Sequence, residues 1–189
     1  MPRKKEANQE IQKISRNKIL MAAFELFALR GYSQTSVESI AVKANVSKGL
    51  IYHYFKGKQD ILLGLVGLAE AQMGGFFPTA QLPPEDFLEK LIDFSFDFII
   101  QKSKLNRLML ALTVQPEVIR GLKKEMTRLR DEWIGMLVAA FTELKYDHPE
   151  EEAYMLLAAF DGMALGHLTF QKEYPLEALR KSMKKRYRL

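Results

Sequence analysis

The chain has 189 residues, 48% of them hydrophobic and 27% charged, the balance of a globular protein with core enough for one large or two small domains. It holds no cysteine, which excludes a disulfide framework, thiolate chemistry and a zinc-finger ligand set. The net charge of +5 is uneven: residues 1–58 hold 11 Lys/Arg against 4 Asp/Glu, residues 59–179 hold 11 against 19, and residues 180–189 hold six cations and no anion. A basic head on an acidic body suits a polyanion-binding module joined to a domain of another kind. No apolar run approaches 18 residues and the N-terminus is polar and basic, so the sequence predicts neither a membrane span nor a signal peptide, and a cytoplasmic protein.

Taken in order, residues 1–14 read as a basic flexible arm in which Arg3, Lys4 and Lys5 either reach DNA or only solubilise the chain. Ser15 to Arg30 reads as a first helix, capped by Ser15, with Ile19, Leu20, Ala23, Phe24, Leu26 and Phe27 on its apolar stripe and Gly31 as a left-handed stop. Arg16 and Lys18 near its start are phosphate candidates. Thr35 to Ala44 reads as a short second helix with Thr35 as N-cap and Glu38 three residues on, the spacing of a capping box. Asn45-Val46-Ser47 is a tight turn, and Ser47 can cap a third helix.

That third helix lies within Ser47 to Lys58, Ser-Lys-Gly-Leu-Ile-Tyr-His-Tyr-Phe-Lys-Gly-Lys. A core helix would not set Tyr52, His53 and Tyr54 beside Lys48, Lys56 and Lys58, and a solvated helix would not carry so many aromatics. Phosphates and base edges call for this mixture of cations, directed hydrogen-bond donors and glycine for close approach. Two helices joined by so short a turn lay the second in a major groove.

The residues Ile19-Leu20-x-Ala22-Ala23-x-x-Leu26-Phe27-x-x-x-Gly31-Tyr32, then Thr35-Ser36-Val37-x-x-Ile40-Ala41-x-x-Ala44, then Val46-Ser47-Lys48-Gly49-x-Ile51-Tyr52-x-Tyr54-Phe55-x-x-Lys58 resemble the TetR family of bacterial transcriptional repressors. The resemblance runs from Arg16 to Leu62, about a quarter of the chain; Asn45 stands where the family's turn usually has glycine. It implies an all-α protein: a helix-turn-helix DNA-binding domain over 15–58 and a helical ligand-binding and dimerisation domain over 59–189. It implies phosphate contacts from Thr35, Tyr52, Tyr54 and Lys58, base-edge contacts near Lys48, Gly49, Leu50 and His53, and a contact set completed by Ser36 and Ser47. The expected partners are a double-stranded palindromic operator, a small-molecule effector and a second copy of the chain.

Beyond Lys58 the chain reads as helix after helix. Asp60 to Met73 is apolar but contains Gly64 and Gly67, with Gly74-Gly75 after it, which suits either bending or close packing. A loop from Phe76 to Pro84 precedes a helix from Pro84 to about Lys102, with Phe87, Leu91, Phe94 and Phe98 on one face, Leu88, Ile92 and Ile99 beside it, and burial expected nearly all round. Helices from Leu105 to Gln115, Glu117 to Leu144 (with a kink near Gly121) and Glu150 to Lys172 come next, then a short helix from Pro175 into the basic tail.

Aromatics and methionines of the acidic body, Phe76, Phe94, Phe98, Met109, Trp133, Phe160 and Met163, with His167 as a polar group, are candidates for an apolar effector pocket; plain core packing is the alternative for each. Asp97, Asn106 and Gln115 are further polar groups at helix positions that can point inward. Ala158, Gly162 and Gly166, spaced by four, form a smooth ridge where a partner helix can approach, and with Phe141 they are the expected dimer interface. His53, His148 and His167 lie far apart without metal-ligand spacing, so no metal, cofactor or catalytic constellation is expected. The alternative reading is a helical protein–protein adaptor that has lost specific DNA binding.

Overall fold

The computed structural model describes residues 2–73 and 82–189, with side chains for 10–68, 82–103 and 105–189. Among them every regular element is helical: α1 Pro2–Arg30, α2 Val37–Ala44, α3 Lys48–Tyr54, α4 Lys58–Met73, α5 Pro84–Gln101, α6 Ser103–Thr113, α7 Pro116–Glu143, α8 Pro149–Phe170, a 3-10 turn Gln171–Glu173, and α9 Leu176–Arg186. The chain is all-α, as expected. It divides into two units, Met1–Gly75 with Leu108–Glu125, and Phe76–Arg107 with Met126–Leu189.

α1 corrects the arm expected over 1–14, because the helix begins at Pro2. From Lys5 to Ile14 the chain holds no glycine or proline, so nothing stops a helix there, and Ser15 lies inside it rather than capping it. The side chains of Arg3, Lys4 and Lys5 lie outside the described residues.

In the first unit α1 packs on α2 and α4, and α2 packs on α3. Ile19, Leu20, Ala23, Phe24 and Phe27 of α1 are buried, as are Ile40, Ala41 and Ala44 of α2 and Ile61 and Leu62 of α4. Ile51 and its neighbour one turn on, Phe55, are 0% and 2% exposed. Burying each large apolar side chain stabilises the fold by about 1.5–3 kcal/mol, so these two fix which face of α3 turns outward. A Cβ on Gly64 would lie 3.0 Å from Leu20 and from Phe55, whereas one on Gly67 would meet nothing within 4 Å. Close packing therefore explains Gly64; Gly67 is free of it, and Gly74 and Gly75 lie outside the described residues. α7 runs as one helix through Gly121.

In the second unit α5 starts with proline and the acids Glu85 and Asp86, as a helix N-terminus favours. Its buried residues are Leu88, Leu91, Ile92, Phe96 and Ile99. This corrects the expected face through Phe87, Phe94 and Phe98 and the expected burial all round. At 3.6 residues per turn, positions 88, 92, 96 and 99 form one stripe. Phe94 and Phe98 flank it, half-buried and stacked at 6.3 Å, and Ile100 is exposed. α5 packs on α8 and α9. α9 packs Leu176, Leu179 and Met183 on the core and adds ion pairs to α5: Arg180 reaches Asp97 at 2.7 Å and Asp93 at 3.6 Å, and Lys184 reaches Asp93 at 2.8 Å and Glu89 at 3.0 Å. Arg180 also lies 5.4 Å over the Phe96 ring. Part of the basic tail is thus matched by acids of the same unit.

α8 buries Ala153, Leu156, Met163 and Ala164, while Tyr154, Met155, Ala158, Gly162 and Leu165 are exposed. Within Pro149–Glu173 an 18-residue window has a mean hydropathy of 1.2. Among the described residues this is the one helix long and apolar enough to cross a membrane by length and composition, which core helices also satisfy. Asp161, His167 and Thr169 interrupt the segment, so it is not an unbroken apolar run.

Two expected interface residues are accounted for within the chain itself. Phe141 is fully buried, 5.0 Å from the Tyr146 ring and 5.4 Å from that of Tyr187, so it is a core residue. A Cβ on Gly166 would lie 2.3 Å from the Tyr174 ring, so the glycine makes room for that tyrosine. Ala158 and Gly162 remain exposed. Among the expected pocket residues, Phe76 lies outside the described residues and Met109 belongs to the first unit. Met163 is core; Trp133 and Phe160 pack against that core, Phe160 edge-on to Phe96 at 6.4 Å. His167 is half-buried, and its Nδ1 is shut from solvent with no hydrogen-bond partner among the described residues. An open hollow of about 320 Å³ is lined by Thr169, Phe170, Gln171, Lys172 and Glu173, none of them an expected pocket residue.

Candidate nucleic-acid interface

The interface is built from two short capped helices. Ser36, not Thr35, caps α2: its hydroxyl accepts the Ser39 N–H at 3.1 Å while the Ser39 hydroxyl accepts the Ser36 N–H at 3.1 Å. The capping box therefore sits one residue later than expected and closes on Ser39, leaving Glu38 outside it. Asn45 ends α2 in the left-handed region at φ 51°, the conformation that asparagine tolerates best after glycine. Ser47 caps α3 by accepting the Leu50 N–H at 3.1 Å. A serine hydroxyl that accepts in this way keeps its own proton for another partner.

With Ile51 and Phe55 turned inward, α3 presents Lys48, Gly49, Tyr52 and His53 to solvent, with Leu50 and Tyr54 half-buried at the flanks. The His53 and Tyr54 rings meet edge to face at 4.9 Å. The Lys48 ammonium lies 6.0 Å from the Tyr52 ring and forms an ion pair and hydrogen bond with Glu38 across the turn. That bond to Lys48 pulls the Glu38 carboxyl below its ordinary range and, reciprocally, pushes the Lys48 ammonium above its own. Both groups are therefore charged at neutral pH.

Two residues expected to touch phosphate have other attachments. Thr35 is 2% exposed, and its hydroxyl donates to the Gly31 carbonyl at 2.9 Å. This corrects its assignment as a cap and as an outward phosphate ligand: the threonine braces the turn after α1. Lys58 is half-buried, donates to the Tyr32 carbonyl at 2.8 Å and lies 4.3 Å over the Tyr32 ring. It ties the start of α4 to that same turn.

The turn has a third brace, whose role the sequence did not reveal. Gln115, in the link between α6 and α7, accepts the Tyr32 N–H at 2.7 Å and donates to the carbonyls of Phe27 at 3.0 Å and Ala111 at 2.9 Å. Its amide supplies partners to backbone groups at the C-terminal end of α1, where a helix leaves carbonyls unsatisfied. The inward direction expected of Gln115 is observed, but toward backbone. Asp97 is exposed and paired with Arg180, and Asn106 is buried. Arg16 and Lys18 are exposed, Arg16 lying 5.1 Å over the Phe55 ring. Among the described residues no group of three or more His, Cys, Asp or Glu is placed to hold a metal.

This arrangement has known counterparts. Residues 19–65 match the family model described as bacterial regulatory proteins, tetR family. Over those residues, the helix-turn-helix module, the chain is similar to the tetR family. The fatty acid metabolism regulator protein of Bacillus subtilis is 43% identical over 72 residues, 38% of this chain and 34% of its own length. The match thus spans about a third of that relative. The Escherichia coli regulator BetI is 27% identical over 165 residues, 82% of this chain and 83% of its own. The solved structure of FadR from Bacillus subtilis in complex with stearoyl-CoA superposes with a TM-score of 0.66 at 24% identity, covering 87% of this chain and 93% of that one. This last likeness carries the fold. These relatives are named as regulators.

Proposed function

We propose that the chain is a transcriptional regulator of the repressor type. As a homodimer it binds a palindromic operator, and a small apolar or amphipathic effector releases it. The observation that carries this reading is the outward face of α3, where Lys48, Gly49, Tyr52 and His53 stand clear of a core anchored by Ile51 and Phe55. Ser36, Ser47, Leu50 and Tyr54 border that face, and Lys58 and Thr35 hold the turn behind it. An isologous two-fold dimer of such a module reads a palindrome. The exposed side of α8, with Tyr154, Met155, Ala158, Gly162 and Leu165, supports a second copy as its cover.

For the effector, the half-buried aromatics Phe94, Phe98, Trp133 and Phe160 supply apolar walls. The stearoyl-CoA held by the Bacillus subtilis relative makes long-chain acyl thioesters the first class to try. Release is a population shift and requires that the effector bind the two conformers unequally. A repressor acts in the cytoplasm, where the chromosome is.

The test is duplex binding by fluorescence anisotropy at salt concentrations between about 50 and 200 mM. Affinity falls steeply with salt. Lys48→Ala costs about 1–3 kcal/mol on the selected palindrome and less on random duplex, whereas Tyr54→Ala weakens both alike. Binding indifferent to salt and to these substitutions overturns the reading and favours an adaptor.

A further inference from the structure

The ion pair between Glu38 and Lys48 stands on the surface that the regulator reading assigns to DNA, and the inference rests on that reading. Glu38 lies in the first turn of α2 and Lys48 opens α3; their side chains are 59% and 50% exposed. A recognition-helix cation would ordinarily seize any phosphate within reach. Here its charge is matched by a carboxylate on the same face, so a phosphate approaching Lys48 also approaches Glu38. A base-edge acceptor carries no net charge. The ammonium has three protons; one serves Glu38, and another can reach a guanine O6 or N7 with the pair intact.

We propose that Glu38 is a specificity-determining residue, holding Lys48 available to base edges while withholding it from phosphates. It acts by penalising the wrong complexes rather than strengthening the right one. Glu38 is not the cap of α2, which Ser36 and Ser39 close between themselves, so Glu38→Gln removes the charge and leaves the helix start in place. A second ion pair of the same unit, Lys43 with Glu25 at 3.0 Å, joins α2 to α1 and supplies the control for a general change in net charge.

The experiment measures anisotropy of the full-length protein with two fluorescent duplexes of equal length, the palindrome recovered by selection and a scrambled version, across a salt series. For Glu38→Gln, affinity for the scrambled duplex rises about five- to tenfold, its log–log salt slope steepens by about 1, and affinity for the palindrome changes less than about twofold. In a Lys48→Ala background the same substitution leaves the ratio of the two affinities unchanged. Equal gains on both duplexes, or an equal loss of discrimination from Glu25→Gln, would overturn the assignment and reduce the pair to ordinary surface charge. A wild-type protein with no preference for the palindrome would instead overturn the regulator reading, and this inference with it.

Discussion

Replacing Gln115 with alanine removes three hydrogen bonds from one side chain to backbone groups. The Tyr32 N–H loses an acceptor at 2.7 Å; the Phe27 and Ala111 carbonyls lose donors at 3.0 and 2.9 Å. The carbonyl of Phe27 also accepts the Gly31 N–H at 3.1 Å, so its loss is small. The Tyr32 amide has no such reserve, and a part-buried donor left unpaired costs about 1–3 kcal/mol. A local cost near 2 kcal/mol corresponds to an opening equilibrium raised about 30-fold. Native-state hydrogen exchange on the full chain reads this directly: the Tyr32 amide exchanges about 30-fold faster in Gln115→Ala, while the amide of Leu156, in the other unit, keeps its rate. Gln115→Met, which fills similar volume without a polar group, gives the same result at Tyr32. Unchanged protection at Tyr32 in the methionine variant would refute the reasoning, because volume rather than hydrogen bonding would then hold the turn.

The two glycines of α4 should behave oppositely. Gly67→Ala stabilises by up to about 1 kcal/mol, since a Cβ there meets nothing within 4 Å, while Gly64→Ala gains nothing because its Cβ presses Leu20 and Phe55 at 3.0 Å; urea denaturation compares them. Gly166→Ala drives a Cβ into the Tyr174 ring and costs about 1–3 kcal/mol, read as a lower urea midpoint; a neutral outcome would return Gly166 to the dimer face. Arg180→Ala loses the carboxylates of Asp93 and Asp97 and the cation over Phe96, about 1–2 kcal/mol in urea denaturation. Arg180→Lys recovers only part of it, since lysine is a point charge rather than a planar fork.

The recognition helix is legible in the sequence because its signals are local. Two inward residues four apart, a serine cap and an asparagine at positive φ need only neighbours in sequence, and Ile51, Phe55, Ser47 and Asn45 stand where their chemistry indicates. Sequence reasoning fails where a choice depends on distant packing. Thr35 and Ser36 are both good caps, and the choice falls to Ser36 because Gly31 offers Thr35 a carbonyl. On α5 the apolar residues cover more than one face, so only contact with α8 and α9 reveals that Phe96 is core and Phe94 and Phe98 flank it. Phe141 and Gly166 suit an interface by residue type, but an aromatic and a small residue serve a core equally well. Gln115 lies 83 residues from the amide it serves, and a lone glutamine beside Pro116 carries no mark of that partner. The Glu38–Lys48 pair is closer to hand: the two lie 10 residues apart, across a turn that folds the start of α3 back toward the first turn of α2.

The central claim is that the outward face of α3 reads a palindrome. Selection of genomic fragments by the purified protein at about 150 mM salt, followed by sequencing of the retained DNA, tests it most directly. The account predicts a shared palindrome among the retained fragments, lost from the Lys48→Ala selection. Retention without any common sequence, or an unchanged palindrome with Lys48→Ala, would contradict it.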